Sequence, residues 1–240
     1  MMFKRLLTVL LFLFASTAVY SQLSKTHYIP PLAGQEVSDH MIYISTPSTG
    51  YINVTIKPIG GTRTDWKSKT IKNDEPWDFY TGSGNGDIIR DINGLNGVIN
   101  DSGYIIESQG LTYVSFRFNS PDAVQGGQVY NYHSGAYVSK GESALGSKLR
   151  TATFTNSASG GGGNGVPQHF ISILATQDNT KVTLSDFPPG IEFTNNDLIG
   201  AQTSPLILPV LNENETYILG FSPSHSQSST IQEALIGALV

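Results

Sequence analysis

Short runs in which apolar and polar residues alternate leave this chain little choice of fold. "YINVTIK" puts Ile52, Val54 and Ile56 on one side and Asn53, Thr55 and Lys57 on the other. "LTYVSFRF" sets Val114, Phe116 and Phe118 against Tyr113, Ser115 and Arg117, and "TYILGFS" groups Tyr217, Leu219 and Phe221. A period of two is the pleat of a half-buried strand; a helix would scatter these side chains around its circumference. Between the runs lie "TGSGNGD", "DINGLNG", "INDSG", "SASGGGGNG" and "FPPG", clusters that break strands and close turns. The prediction is an all-β fold, an antiparallel β-sandwich or blade-like sheet array with Gly/Asn-rich loops.

Two places read as hairpins. In "FISILATQDNTKVTLSDF", residues 170–187, Ile171, Ile173 and Ala175 share a face, and Val182 and Leu184 resume it behind Lys181 and Thr183. Asp178 and Asn179 fall at the reversal, where their side chains bond nearby backbone and tolerate left-handed geometry. "PSTG" joins "HMIYIST" to "YINVTIK" in the same style. Helix signals are scarce. "STIQEALIGALV" has Thr230 and Glu233 at capping-box spacing, but Gly237 and the closing "ALV" fit a strand better. Ending on that apolar run, the chain is expected to continue beyond Val240, since a strand stopping there exposes a sticky edge.

The first 21 residues read as a targeting segment. Lys4 and Arg5 precede an apolar stretch from Leu6 to Ala15, and Val19 and Ser21 are the small residues before a cut ahead of Gln22. That stretch is too short to span a hydrocarbon core of roughly 30 Å. Residues 22–240 then form the mature, exported region, whose 219 residues suffice for one large domain. The leader holds two of the 14 Lys and Arg and none of the 19 acids, which leaves the mature chain at −7. With no basic stretch to neutralise phosphates, nucleic-acid and anionic-membrane binding are not expected, nor is membrane insertion of the mature chain. The absence of cysteine removes disulfides, thiol catalysis and thiolate metal sites together. Charged residues make up 14% of the chain, so Ser, Thr, Asn and Gly must carry its solubility.

No local pattern brings catalytic groups together. The five histidines, His27, His40, His133, His169 and His225, show no i, i+4 pair and no HExxH, and read as isolated side chains. "GDIIRDINGLNG" offers Asp87, Asp91, Asn93 and Asn96 as weak calcium candidates. Counting twelve from Asp91, where an EF-hand places a bidentate acid, gives Ser102, and the same residue types serve any tight turn. There is no G-x-S-x-G elbow, and "SGGGGNG" lacks the Lys-Ser/Thr of a phosphate loop. Glu107, Glu142 and Glu192 are the carboxylates from which a glycosidase pair would be drawn. "DWKSKTIKNDEPWDFY" supplies Trp66, Trp77, Phe79 and Tyr80 as weak candidates for a ligand-stacking platform, although aromatics also fill cores. Asn53, Asn100 and Asn214 head sequons that matter only in a glycosylating host. No catalytic residue and no cofactor is assigned.

"ATQDNTKVTL" resembles the A-T-x-D-N-T-x-V hairpin of the IgG Fc-binding-protein N-terminal domain family. "HYIPPL", "GYIIESQGLTYVSFRF", "YVSKGESALGSKLRTATFTN" and "STIQEALIGALV" agree with it in order, over about residues 26–240. The resemblance implies an extracellular adhesion module at the front of a larger gliding-motility-associated surface protein, delivered by type IX secretion. It implies no catalytic residues. The expected function is therefore a secreted or cell-surface, non-enzymatic adhesion or ligand-binding module, with an extracellular protein or glycan as partner. The alternative is a carbohydrate-active module, either a sugar-binding sandwich or a glycoside hydrolase. Intact-mass analysis of exported protein should find a chain beginning at Gln22; a mass that retains Met1 to Ser21 refutes the leader assignment.

Overall fold

The computed structural model describes residues 22–34, 38–60, 66–82, 88–91, 94–119, 123–125, 128–130, 134–152, 169–221 and 235–240. The strands are β1 (Ser24–Ile29), β2 (Leu32–Gly34), β3 (Ser38–Ser45), β4 (Ile52–Pro58), β5 (Lys67–Ile71), β6 (Trp77–Gly82), β7 (Ile89–Asp91), β8 (Tyr104–Asn119), β9 (Ala123–Gln125), β10 (Gln128–Tyr130), β11 (Ser134–Ser139), β12 (His169–Leu174), β13 (Thr183–Leu184), β14 (Leu206–Ile207) and β15 (Thr216–Phe221). Helix among the described residues is limited to 3₁₀ geometry, at Gly94 and at Gly141–Ala144. The fold is all-β, as the alternation predicts. Among the described residues all strand pairs are antiparallel except β2–β7, which is parallel. No described helix is long and apolar enough to cross a membrane.

β8 belongs to two sheets. Its first half lies between β1 and β4, pairing Tyr104 with both Ile29 and Pro58, and Ile106 with both His27 and Ile56. Its second half lies between β3 and β11, pairing Phe116 with both Ile42 and Tyr137. β5 extends the first sheet beyond β4, and β6 extends the second beyond β3. The inner faces meet in one core that includes Ile29, Ile42, Ile44, Val54, Ile56, Ile106, Val114 and Phe116, all essentially excluded from solvent. A strand that changes sheets in this way turns the corner of a sandwich.

The changeover falls around Gly110, where an added Cβ would lie 3.1 Å from Ile52 Cγ2. Buried polar groups hold this bend. Thr46 Oγ1 donates to Leu111 O (2.7 Å), and Thr112 Oγ1 donates to Ser24 O (3.0 Å). His27 Nε2 meets Thr112 O at 3.0 Å, and its Nδ1 meets Ser139 Oγ at 3.0 Å. A carbonyl only accepts, so Nε2 carries the proton and Nδ1 accepts from the Ser139 hydroxyl. Ser139 Oγ in turn accepts the Gly141 N–H (3.2 Å). Gly141 has φ +56° and no space for a side chain against Ser24, so conformation and packing both require glycine there.

The two expected hairpins differ from what forms. β3 and β4 do not pair across "PSTG": they lie on different halves of β8, and the loop steps between the sheets. β12 and β13 do not pair across Gln177–Thr180 either. β12 pairs with β15, while β13 pairs with β14. The turn itself forms, with Asn179 at φ 56°. It is a corner because Thr180 bridges to Leu211, which commits the following strand to a different partner.

Residues 169–221 and 235–240 gather around a second core that includes Leu184, Ile191, Leu211, Tyr217, Leu219, Phe221 and Ala238. Residues 222–234 lie outside the described residues, so the helix-or-strand question is answered only for the end of the run. Leu235–Gly237 is a turn. Leu239 then exchanges hydrogen bonds with Ser185 (2.8 and 2.9 Å), and Val240 with Leu149 (2.7 and 2.8 Å). Against expectation, the closing apolar residues are paired on both sides. Ile99 and Thr216 also exchange hydrogen bonds (both 2.8 Å), and Ser172 Oγ donates to Pro31 O (2.6 Å), which joins the two cores.

Burial holds His27 below its ordinary pKa of 6.5, against weaker upward pulls from the Thr112 and Ser24 backbone and from Glu142. As pH falls through 6.5 the unfolded chain therefore takes up this proton more readily than the folded chain. Stability from this site is complete above that value and falls as pH drops below it. Urea midpoints at about pH 7.5 and about pH 5 should differ more for the native chain than for His27→Gln. Equal differences would remove His27 from the pH response.

Candidate functional site

The outward residues of β6, β3, β8 and β11 compose the most binding-like surface among the described residues. β3 contributes Met41 and Tyr43, β6 contributes Asp78 and Tyr80, and β8 contributes Tyr113, Ser115 and Arg117. The register sets Met41 between Tyr80 and Arg117, and Tyr43 between Asp78 and Ser115. The Arg117 guanidinium lies 4.5 Å from the Tyr43 ring centroid, a cation–π contact, and Tyr43 Oη–H donates to Met41 Sδ at 3.2 Å. Tyr80 is 53% exposed and donates to Asp39 Oδ1 at 3.2 Å. Asp39 has φ 33° and sits where the β3 register shifts against β8. This bulge re-aims its carboxylate to the rim of the face. At the centre, the Ser115 hydroxyl is buried with no hydrogen-bond partner among the described residues.

The four aromatic candidates do not form one platform. Trp77 and Phe79 occupy inward positions of β6, pack on the first core and meet edge to face at 5.7 Å. Tyr80 points outward from the same strand, onto the face just described. Trp66 is 57% exposed and stands apart, with Lys57 Nζ 4.8 Å from its ring centroid. Lys57 is itself paired with Glu107 at 2.6 Å.

The carboxylates divide similarly. Glu107 and Glu142 both come within electrostatic reach of Tyr28. Burial, then Glu142, Glu213 and Glu107, raise the pKa of that tyrosine's hydroxyl. Glu192 lies between Ile191 and Phe193 of the second core. Of the calcium candidates, Asp91 ends β7 and Asn96 is exposed, while Asp87 and Asn93 fall outside the described residues. No group of three or more His, Asp or Glu is placed to hold a metal among the described residues. Arg117 was legible as an outward strand position. Its stacking on Tyr43 was not, because it depends on which strand lies beside β8.

The hairpin motif makes backbone contacts. Thr180 Oγ1 donates to Gln177 O (2.7 Å), Thr180 and Leu211 exchange backbone bonds (2.7 and 2.9 Å), and Asp178 Oδ1 accepts the Glu213 N–H (3.0 Å). Two turns are thereby clamped together.

No family model, curated protein or solved structure matches the chain.

Replacing Asp178 with Ala removes the acceptor for the Glu213 N–H and should cost about 1 kcal/mol in denaturant unfolding. Asp178→Asn keeps an acceptor oxygen and should cost clearly less. Equal losses for both would show that charge, not the hydrogen bond, matters at this turn.

Proposed function

We propose that the chain is an exported, non-enzymatic adhesion or ligand-binding module that contacts an extracellular protein through the outer face of β6, β3, β8 and β11. The observation that carries this reading is the composition and exposure of that face. Tyr43, Tyr80, Met41 and Arg117 stand together on adjacent strands, with Arg117 and Tyr80 open to solvent. Tyr, Met and Arg are the residue types enriched in protein interfaces, and rigid aromatic and Arg anchors carry most of the energy in them. An antiparallel scaffold packed on its other side fixes the backbone of such anchors, which lowers the ordering cost of binding. The resemblance of residues 175–184 and the neighbouring stretches to the IgG Fc-binding-protein N-terminal domain family supports this reading. On that reading the module is the front part of a gliding-motility-associated adhesin exported by type IX secretion.

The carbohydrate-active alternative has one observation in its favour, the exposed Trp66 ring beside Lys57 and Glu107. A lone ring whose neighbouring carboxylate is already ion-paired offers less than the ladder on the other sheet.

Retention of the purified chain on extracellular-protein surfaces and on glycan arrays separates the two. Arg117→Glu should lower retention on protein surfaces by about tenfold or more, the effect of losing one interface anchor. Trp66→Ala should leave it unchanged. The reverse result, loss with Trp66→Ala and glycan-selective retention, would favour the carbohydrate reading.

A further inference from the structure

β15 and β12 form a two-stranded sheet whose two outer edges are treated differently. On the β15 side the edge is closed. Thr216 exchanges both backbone bonds with Ile99, Gly220 donates to Asn195 Oδ1 (2.8 Å) and accepts from Thr194 N (2.9 Å), and Ile218 O accepts from Asn195 Nδ2 (2.7 Å). Those groups point away from β12, so their cross-strand neighbours Leu174, Ser172 and Phe170 point their own N–H and C=O groups away from β15. Among the described residues, no backbone group bonds that second edge.

A groove of about 830 Å³ opens beside it. One wall is Ser172–Thr176 and the other is Ala144–Thr151, with Lys181 and Thr183 between them. Leu145 and Leu149 are each 47% exposed. Lys148, Arg150 and Lys181 line the groove, and no Asp or Glu side chain does, in a chain whose net charge is −5. Arg150 is held by Asp186 Oδ2 (2.6 Å) and Gly237 O (2.7 Å). Lys148 and Lys181 are exposed, with no ion pair among the described residues.

We propose that this edge is a docking site for an extended acidic peptide segment of a partner protein, which adds to β12 as a further strand. The outward amide–carbonyl positions of Ser172 and Leu174, which line the groove, supply the ladder, and Phe170 continues it along the same edge, as in recognition by strand addition. Alternate side chains of the guest would rest on Leu145 and Leu149, while its carboxylates meet Lys148 and Lys181. Charge complementarity selects an acidic guest over a neutral or basic one.

The test uses the full chain and two capped eight-residue peptides, one alternating valine with glutamate and the other valine with lysine. Amide exchange of Phe170, Ser172 and Leu174 is followed during titration. The valine–glutamate peptide should slow exchange at these three positions by about tenfold or more, and the valine–lysine peptide should not. The double substitution Lys148→Glu, Lys181→Glu should reverse that preference. Ser172→Pro should abolish binding of either peptide; because it can also disturb folding, the lysine pair is the deciding variant. Equal binding of both peptides would overturn the proposal. So would amides already protected in the free chain, protection that grows with protein concentration alone, or a sulfated oligosaccharide that outcompetes the peptide without protecting the amides.

Discussion

The double pairing of β8 is the interaction on which the other strands depend. From Tyr104 to Glu107 it is flanked by β1 and β4, and from Val114 to Asn119 by β3 and β11. Most of its amide and carbonyl groups are therefore spent inside the fold, and a buried group left without a partner is costly. Side-chain parity survives the bend. Tyr104, Ile106, Thr112, Val114 and Phe116 all face inward, and a slip of one residue would turn every one of them to solvent. Each buried aliphatic or aromatic side chain contributes about 1.5–3 kcal/mol. Register is thus tied to the core and not to any local turn. The His27–Ser139–Thr112 chain completes the bend by giving buried donors and acceptors partners where the two sheets part.

The second core inherits its position from the same strand. Residues 95–99 lead directly into β8, and Ile99 is already bonded to Thr216 of β15. Leu95 packs with Ile218, and Asn196 N–H donates to Leu95 O (3.0 Å). β15 therefore finds its register against a segment that the first sheet has placed. Tyr217 shows what this secures. Its ring lies wholly in the second core while its hydroxyl reaches Asp197 at 2.9 Å; burial and that carboxylate both push its pKa upward.

Strand positions were legible in the sequence because the pleat writes itself into every second residue. Val54, Ile56, Val114, Phe116, Tyr217, Leu219 and Phe221 are inward as their alternation implies. Turn conformation was legible too: Asn179 takes the positive φ that Asn tolerates. Partner choice was not. "PSTG" and "QDNT" carry the local chemistry of hairpins, yet each hands its strand to a different sheet, because long-range burial against β8 and Leu211 outweighs what a four-residue turn can enforce. The same limit explains the aromatics. Trp77 and Phe79 look like Tyr80 in a composition count, and only the alternation of β6 against a buried β3 separates core fillers from an exposed ring.

Edges reveal how a weakly charged chain manages exposed backbone. β5 is an outer strand of the first sheet, and its exposed residues include Lys67 and Lys69. β6 closes the second sheet with an exposed Asp78. Charges of this kind repel stray strands by making the pairing of an incoming chain cost desolvation. β12 reads His-Phe-Ile-Ser-Ile-Leu and carries neither Lys, Arg, Asp nor Glu, although its cationic surroundings sit across the groove. An edge without guard residues on the strand itself, beside charges of one sign, accepts guests of the opposite sign and turns away copies of a lysine-guarded strand. The same physics that keeps β5 from associating leaves the β12 edge without a guard of its own, so its selectivity rests on the cations across the groove.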